Sequence, residues 1–391
     1  MKRSWALLAL LGMLALMFLM VNCGGGSAQK STITVPPPSN PFSPALGSVQ
    51  LDNGGSPVTC ESGLKFAPGV TCYHATVTCP STVALGVTLG YQPPAAPAQG
   101  TIVLFSGGGG TEAGALSNDS QYTADYASNG YGVVETAWDS AWEDTTNGST
   151  SNVPAHNLLA AGCRPASLLN YIFSQSTPFY TSGGRCAQGI SGGSGAVAYT
   201  MSAYGGDGFL DNAELLSGPV FGDIEQGCEF PPAPEVTVCG DGNGGVAAWC
   251  HLGPGQSLWA GRPTYMGSAL TAVQGFTGDS SCGTATPTSA TSNQAWKNES
   301  IVNGAASTNF NYTNTKVTGW LCADSSNNST EQGQFFYQQV GTTATPLNVY
   351  PVSNCQGAEG VDTGDVPALS GDPSGFTAVE FDMLNACHKT P

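Results

Sequence analysis

Hydrophobic and polar positions follow two different periods along this chain. Apolar runs rich in β-branched residues come first and predict three strands, at "YHATVTC", "STVALGVTLGY" and "GTIVLFSG". Helices are then predicted at 117–130, 156–175 and 195–205, and strands at 131–139, 185–191 and 210–220. Near the end, strands are predicted at 315–324 and 346–353 and helices at 331–340 and 375–388. Such alternation predicts an α/β fold, with a mostly parallel sheet and helices on both faces.

The regular pattern breaks down between about residues 225 and 314. This stretch contains four cysteines, three tryptophans and many glycines and prolines. A loop this long inside a compact domain is usually functional. We therefore predict a disulfide-rich lid insertion within a single domain over 58–391. Its tryptophans, with Trp138 and Trp142, fit either the lining of an apolar pocket or plain core packing.

The N-terminus has the pattern of an export signal. Two basic residues precede a long apolar run, and a stretch rich in Gly and Ser follows. We predict a signal peptide over 1–22 and an exported protein, located outside the cell or in the cell envelope. The letters "LMVNC" resemble a bacterial lipoprotein cleavage box with Cys23 acylated; ordinary cleavage nearby and an uncleaved anchor are the alternatives. Residues 23–57, rich in Pro, Gly and Ser, predict a tether.

The cysteine count agrees with export. Thirteen cysteines are present, and setting Cys23 aside leaves twelve, enough for six disulfides in an oxidising compartment. No Cys-x-x-Cys pair occurs, which weakens a metal-binding interpretation. The pairing stays open, with close neighbours such as Cys72 and Cys79 as one option.

The charge balance limits the choice of partners. The chain carries 27 acidic and 10 basic residues, a net charge of −17. Loss of Lys2 and Arg3 with the signal peptide lowers this by two, to −19. Such a field repels nucleic acid and anionic membrane surfaces. We expect no nucleic-acid partner, and membrane contact only through a lipid at Cys23.

One short motif carries candidate chemistry. The stretch "GISGGSGAVAY" contains G-x-S-x-G as Gly189, Ser191 and Gly193, between a predicted strand and a predicted helix. A nucleophilic serine on such a sharp turn needs small flanking residues, because larger side chains collide with the strand and helix. Ser194 offers an overlapping but poorer register, since Ala196 replaces the last glycine. Upstream, "IVLFSGGGGTE" ends an apolar strand in four glycines, which suits either an oxyanion-binding loop or a plain flexible loop.

With these two motifs, the layout resembles the α/β-hydrolase superfamily, particularly its secreted esterase-like members. The resemblance implies Ser191 as the nucleophile. It implies an oxyanion hole formed by the amide of Gly192 and one amide among Gly107, Gly108 and Gly109. The family places its acid after a late strand, which implies Asp324. Asp223, after the preceding strand, is the alternative acid.

The histidine of the family pattern is missing from its usual loop. That loop is "SNCQGAEGVDTGD" here, with Glu359 near the expected position. His388 follows Asp324 in the chain, and a disulfide through Cys387 would be one way to bring it to Ser191. His251 in the predicted lid and Glu359 itself are the alternatives for the base. His74 and His156 read as structural.

The resulting hypothesis is an exported serine hydrolase that cleaves an ester bond in a small-molecule or polymeric substrate. It requires no metal and no organic cofactor. One alternative is a non-catalytic ligand-binding lipoprotein on a hydrolase scaffold, favoured by the missing loop histidine. The other is a serine peptidase of the same fold.

Overall fold

The computed structural model describes most of the predicted domain. The described residues are 45–80, 82–95, 97–113, 119–144, 158–174, 176–224, 299–302, 310–322, 332–333, 336–337, 339–340, 347–352 and 377–388. They belong to one compact unit, Phe42–Pro391. The predictions about the signal peptide, Cys23 and most of the lid lie outside these residues. Within them, no helix is both long enough and apolar enough to cross a membrane.

A single sheet forms the centre of the described part of the domain. Its nine strands are β1 (Ser48–Leu51), β2 (Thr71–Thr78), β3 (Leu85–Gln92), β4 (Gly100–Phe105), β5 (Tyr131–Trp138), β6 (Gly184–Ile190), β7 (Asn212–Leu216), β8 (Lys316–Cys322) and β9 (Leu347–Val352). Their spatial order is β1-β2-β3-β5-β4-β6-β7-β8-β9. Three pairs are antiparallel: β1–β2, β2–β3 and β3–β5. The other five are parallel: β5–β4, β4–β6, β6–β7, β7–β8 and β8–β9. The predicted mostly parallel α/β sheet is confirmed.

Helices cover both faces of this sheet. They are α1 (Asp119–Ser128), α2 (Leu158–Ala161), α3 (Cys163–Ile172), α4 (Gly192–Ala203) and α5 (Ala378–Ala386). Successive residues of β4 alternate between faces, as the pleat requires: Val103 belongs to the core beneath α3 and α4, and Ile102 to the core beneath α1 and α5. The helix predicted over 156–175 is divided at Gly162, and Pro165 occupies the first turn of α3, where a missing N–H is tolerated.

The domain begins earlier than the sequence pattern suggested. β1 lies inside the predicted tether and pairs with β2, Val49 opposite Val77. Just before it, Gly47 N donates to Ser167 Oγ at 2.7 Å. The end of the predicted lid also belongs to the domain body, because Ile301 is buried and its N–H donates to Phe221 O at 3.0 Å.

Three disulfides connect the described residues. They are Cys60–Cys72, Cys79–Cys163 and Cys186–Cys387. The pairing of Cys72 with Cys79 does not form, because seven residues of extended strand separate the two by about 23 Å. Cys79–Cys163 fastens the end of β2 to α3, whereas Cys186–Cys387 fastens β6 to the end of α5.

Candidate active site

Ser191 occupies the turn between β6 and α4. Its backbone has φ 50° and ψ −115°, outside the regions that a non-glycine residue ordinarily adopts. Such a conformation costs on the order of 1–3 kcal/mol and persists only where the surroundings enforce it. Here Ser191 N donates to Leu216 O at 2.9 Å, and Gly195 N donates to Ser191 O at 3.1 Å. The strand-to-helix elbow is therefore anchored on both sides.

Ser194 is not an equivalent nucleophile position. It is buried within α4, and its hydroxyl donates to Ser191 O at 2.5 Å. Ser191 is half-buried, at the start of the helix. The geometry thus distinguishes the two overlapping registers of the motif in favour of Ser191.

The glycines around Ser191 lie where the backbone of another segment comes too close for a side chain. A Cβ on Gly189 would overlap the carbonyl of Gly193, and a Cβ on Gly193 would overlap the carbonyl of Phe105 at the end of β4. A Cβ on Gly192 would overlap the carbonyl of Gly108. Small residues are therefore required because the start of α4 packs directly on the loop that leaves β4.

The loop Gly107–Gly110 runs beside Ser191. A Cβ on Gly107 would lie 3.5 Å from Ser191 Cβ. Gly108 and Gly110 have φ values of 58° and 70°, and Gly110 N donates to Gly107 O at 3.1 Å, which closes a tight turn. The structure thus places Gly107, Gly108 and Gly192 next to one another beside Ser191, and the amide roles predicted for them are part of the proposal below.

A second loop, which follows β5, supports the glycine loop. Trp138 N donates to Gly110 O at 2.8 Å, and Trp142 N donates to Gly109 O at 2.9 Å. Both tryptophan side chains are only 1% exposed, and Trp142 packs edge-on against Tyr199 of α4 with ring centroids 6.1 Å apart. Of the two interpretations of Trp138 and Trp142, core packing is the one the structure supports.

Sequence reasoning missed two charged residues behind these loops. Arg164 on α3 is fully buried, and its Nη1 donates to Trp142 O at 2.7 Å and to Asp144 O at 2.6 Å. Glu143 lies between those two carbonyls in sequence and is buried, and burial raises the pKa of its carboxyl to about 8. The signal available in the sequence was the acidic pair of "AWED", in the segment that follows β5.

The two candidate acids follow neighbouring strands. Asp324 lies outside the described residues, two positions beyond the end of β8. Asp223 follows β7 and is buried; its N–H donates to Gln332 Oε1 at 2.6 Å, and Gln332 Nε2 donates to Asp223 O at 3.0 Å. Because β6, β7 and β8 are parallel, both acids follow strands that end at the edge where Ser191 stands.

His388 does not lie at this edge, and its predicted pairing with Ser191 is wrong. The Cys186–Cys387 disulfide fastens the tail to the start of β6, where Tyr131 Oη donates to Cys387 O at 2.8 Å and lies 3.4 Å from His388 Nδ1. Ser191 follows the other end of this strand, which is about 20 Å long. The predicted disulfide anchor exists, but it holds an exposed His388 at the opposite edge of the sheet.

His74, the other described histidine, has the structural role that the sequence predicted. Its Nδ1 lies 2.5 Å from Asp52 Oδ2 and its Nε2 lies 3.3 Å from both carboxylate oxygens of Asp139. Burial alone lowers the pKa of His74, but the two carboxylates outweigh it and raise the pKa above 6.5. Four strand spacings, about 19 Å, separate β2 from β6.

Neither described histidine therefore reaches Ser191. His156, His251 and Glu359 lie outside the described residues, so His251 and Glu359 stay predictions. Within the described part of the chain, no group of three or more His, Cys, Asp or Glu side chains is arranged to hold a metal ion.

Comparison with known proteins finds similar solved structures among esterases. No family model and no curated protein matches the sequence. Similar solved structures include acetyl xylan esterase 1 from Thermoanaerobacterium sp., at 11% identity over 84% of this chain and 85% of that one, with a TM-score of 0.44. Carboxyl esterase 2 from the fungus Tuber melanosporum has 15% identity over 83% and 90%, with a TM-score of 0.45. A bacterial heroin esterase has 14% identity over 82% and 84%, with a TM-score of 0.43. At such low similarity, the function proposed below rests on the geometry around Ser191.

Proposed function

We propose that this protein is an exported serine hydrolase that cleaves an ester bond. The observation that carries the proposal is the strained turn at Ser191, held against the glycine loop that leaves β4. A serine with φ 50° between a strand and a helix presents its hydroxyl at the carboxyl edge of the sheet. Backbone strain of this kind persists only where surrounding contacts enforce it, and such residues cluster at functional sites.

The reaction would proceed through an acyl-enzyme. Ser191 Oγ attacks the ester carbonyl carbon while a base takes its proton, and the resulting oxyanion is held by backbone amides. Gly192 and the Gly107–Gly108 segment supply these amides, and the N-terminus of α4 adds its positive dipole end. When the tetrahedral intermediate collapses, the alcohol leaves and takes from the base the proton that Ser191 gave up. Water then attacks the acyl-enzyme, releases the acid and restores Ser191.

The proton carriers are assigned by elimination among the residues that the sequence offers. His388 is excluded by its position, so we assign the base to His251 in the predicted lid, with Glu359 as the alternative. Asp324 orients and stabilises that base, with Asp223 as the alternative. None of these steps calls for a metal or an organic cofactor.

Export is part of the same proposal. Six cysteines paired in three disulfides suit an oxidising compartment outside the cytoplasm. The protein would act outside the cell or in the cell envelope, attached to the membrane only where Cys23 is acylated. Its strong negative charge suits a neutral or cationic ester, small or polymeric, and disfavours nucleic acid.

The test is covalent labelling of the purified mature protein with a fluorophosphonate, followed by peptide mass spectrometry. We expect the adduct on Ser191, lost in Ser191→Ala and retained in Ser194→Ala. Labelling lost in His251→Ala, but retained in Glu359→Gln, supports His251 as the base. A folded protein that takes no label contradicts the proposal and favours the ligand-binding lipoprotein. A panel of simple esters and short peptides then separates the esterase from the peptidase.

A further inference from the structure

The side chain of Glu143 lies against the glycine loop at a point where that loop has no side chain of its own. A Cβ on Gly109 would overlap Ala141 Cβ and would lie 3.4 Å from Glu143 Oε2. The neighbouring Trp142 N donates to Gly109 O at 2.9 Å. The carboxyl of Glu143 therefore packs beside Gly109, the residue directly after the Gly107–Gly108 segment whose amides the proposed reaction uses.

Glu143 is held in this place by a rigid support. Arg164 donates to the carbonyls on either side of it, those of Trp142 and Asp144, and Nη2 donates to Val83 O at 2.9 Å. These charge-assisted hydrogen bonds fix the backbone of the β5 loop from the side of α3. We therefore expect a change of charge at Glu143 to act on Gly109, which its carboxyl approaches.

Burial favours the neutral form of the Glu143 carboxyl, against the charge of Arg164. Burial is the largest influence and raises the pKa to about 8; a hydrogen bond from its own backbone N–H and the charge of Arg164 on α3 lower the pKa, and Asp144 on the same loop raises it. Tyr199 on α4 also faces this carboxyl, and burial holds its own pKa well above 10, so it adds no charge. A neutral carboxyl can donate a hydrogen bond, whereas an ionised one adds a negative charge beside the loop.

We propose that Glu143 is a positioning residue for the oxyanion loop, competent in its neutral form, so that ionisation of this carboxyl turns off the hydrolase in alkaline solution. The inference rests on the proposed function of Ser191. Its physical basis is that a negative charge in a water-poor site opposes the negative charge that develops on the substrate oxygen. It also opposes the tight packing of Gly109 against the β5 loop.

The experiment measures the rate of fluorophosphonate labelling at Ser191 in the full mature protein between pH 5 and pH 10. In the wild type we expect the rate to fall at least tenfold between pH 7.5 and pH 9.5. Glu143→Gln cannot ionise, so its rate at pH 7 is expected to stay within about fivefold of the wild-type rate and then to stay level to pH 9.5. Glu299→Gln is the matched control, because it removes a partly buried carboxyl with a raised pKa, one that accepts a hydrogen bond from Leu159 N at 2.9 Å at the start of α2. This control should keep the wild-type decline.

Two results would overturn the inference while Ser191 still reacts. One is a Glu143→Gln profile that falls in alkaline solution as steeply as the wild type. The other is a wild-type profile that stays level to pH 9.5, which decides the question even where Glu143→Gln fails to fold. A folded wild type that takes no label at any pH overturns the proposed function itself, and with it this inference.

Discussion

The carbonyl oxygen of Gly108 occupies the space where a Cβ on residue 192 would stand. This contact joins the loop that leaves β4 to the first residue of α4, and so fixes the two proposed oxyanion amide donors relative to each other. The pairing explains why a glycine is needed directly after Ser191, in a helix that gains nothing from glycine in its own right.

Gly192→Ala should therefore separate the loop from the helix. We expect the labelling rate at Ser191 to fall about 100-fold or more, as for the loss of an oxyanion donor. The matched control is Gly208→Ala, since a Cβ there meets nothing within 4 Å. Stopped-flow labelling of both variants, with circular dichroism to confirm folding, makes the comparison. Unchanged labelling in Gly192→Ala would show that this contact does not form the oxyanion site.

The position of β1 leads to a prediction about the start of the domain. A chain that starts at Val58 lacks β1, leaves the edge of β2 unpaired and removes the Gly47–Ser167 hydrogen bond. Unpaired sheet edges promote association between molecules. We expect such a chain to melt at lower temperature and to form aggregates in size-exclusion chromatography, whereas a chain that starts at Phe42 behaves as the mature protein does. Equal melting temperatures for the two would support the tether boundary inferred from sequence.

The sequence predicted the strands well where burial dictates the pattern. β4 and β5 are buried along their whole length, so most of their residues are apolar or β-branched, with Glu135 as the charged exception, and this left a clear signal. β1 was missed because it has four residues with an alternating half-exposed pattern, which a Pro/Gly/Ser-rich context conceals. The elbow at Ser191 was found because close backbone contacts demand glycines at fixed spacing.

Longer-range relationships left no such signal. The approach of Glu143 to Gly109 depends on how two loops from different strands meet, and a carboxylate after a strand ordinarily lies in solvent. His388 was misplaced for a related reason. The sequence indicated that Cys387 pins the tail, but not that its partner, Cys186, stands at the start of β6 and so at the wrong edge of the sheet.

Because His388 lies far from Ser191, its substitution should not change the reactivity of Ser191. His388→Ala should label at Ser191 within about twofold of the wild-type rate, because no proton passes between groups on opposite edges of a sheet. Replacing both Cys186 and Cys387 by Ser should cost about 2–5 kcal/mol of stability, as for other native disulfides, yet leave the labelling rate of the folded protein near that of the wild type. Urea denaturation and labelling kinetics measure the two effects separately. A tenfold loss of labelling in His388→Ala would instead show that His388 acts on Ser191.

Buried carboxyl groups predict that the protein is more stable in mildly acidic than in alkaline solution. Burial raises the pKa of Glu299 from 4.5 to about 7, against hydrogen bonds from Leu159 and Leu158, and that of Glu143 from 4.5 to about 8. The folded state therefore binds more protons than the unfolded state between pH 4.5 and these values, and the free energy of unfolding falls as pH rises through that window, by about 1.4 kcal/mol for each unit of pKa difference. His74 acts in the same direction, because its raised pKa adds stability below pH 6.5 that is lost as pH rises through its folded value.

We expect the melting temperature to be about 5–10 °C lower at pH 8.5 than at pH 5. Differential scanning calorimetry across this range measures the slope. Glu299→Gln should flatten it between pH 5 and pH 7, and Glu143→Gln between pH 5 and pH 8, because an amide stays neutral throughout. Exposed Glu112 provides the control, since Glu112→Gln removes a carboxyl without changing a buried charge. A melting temperature that rises steadily from pH 5 to pH 8.5 would mean that these carboxyl groups are ionised in the folded protein, and would also remove the basis for a neutral Glu143 beside the glycine loop.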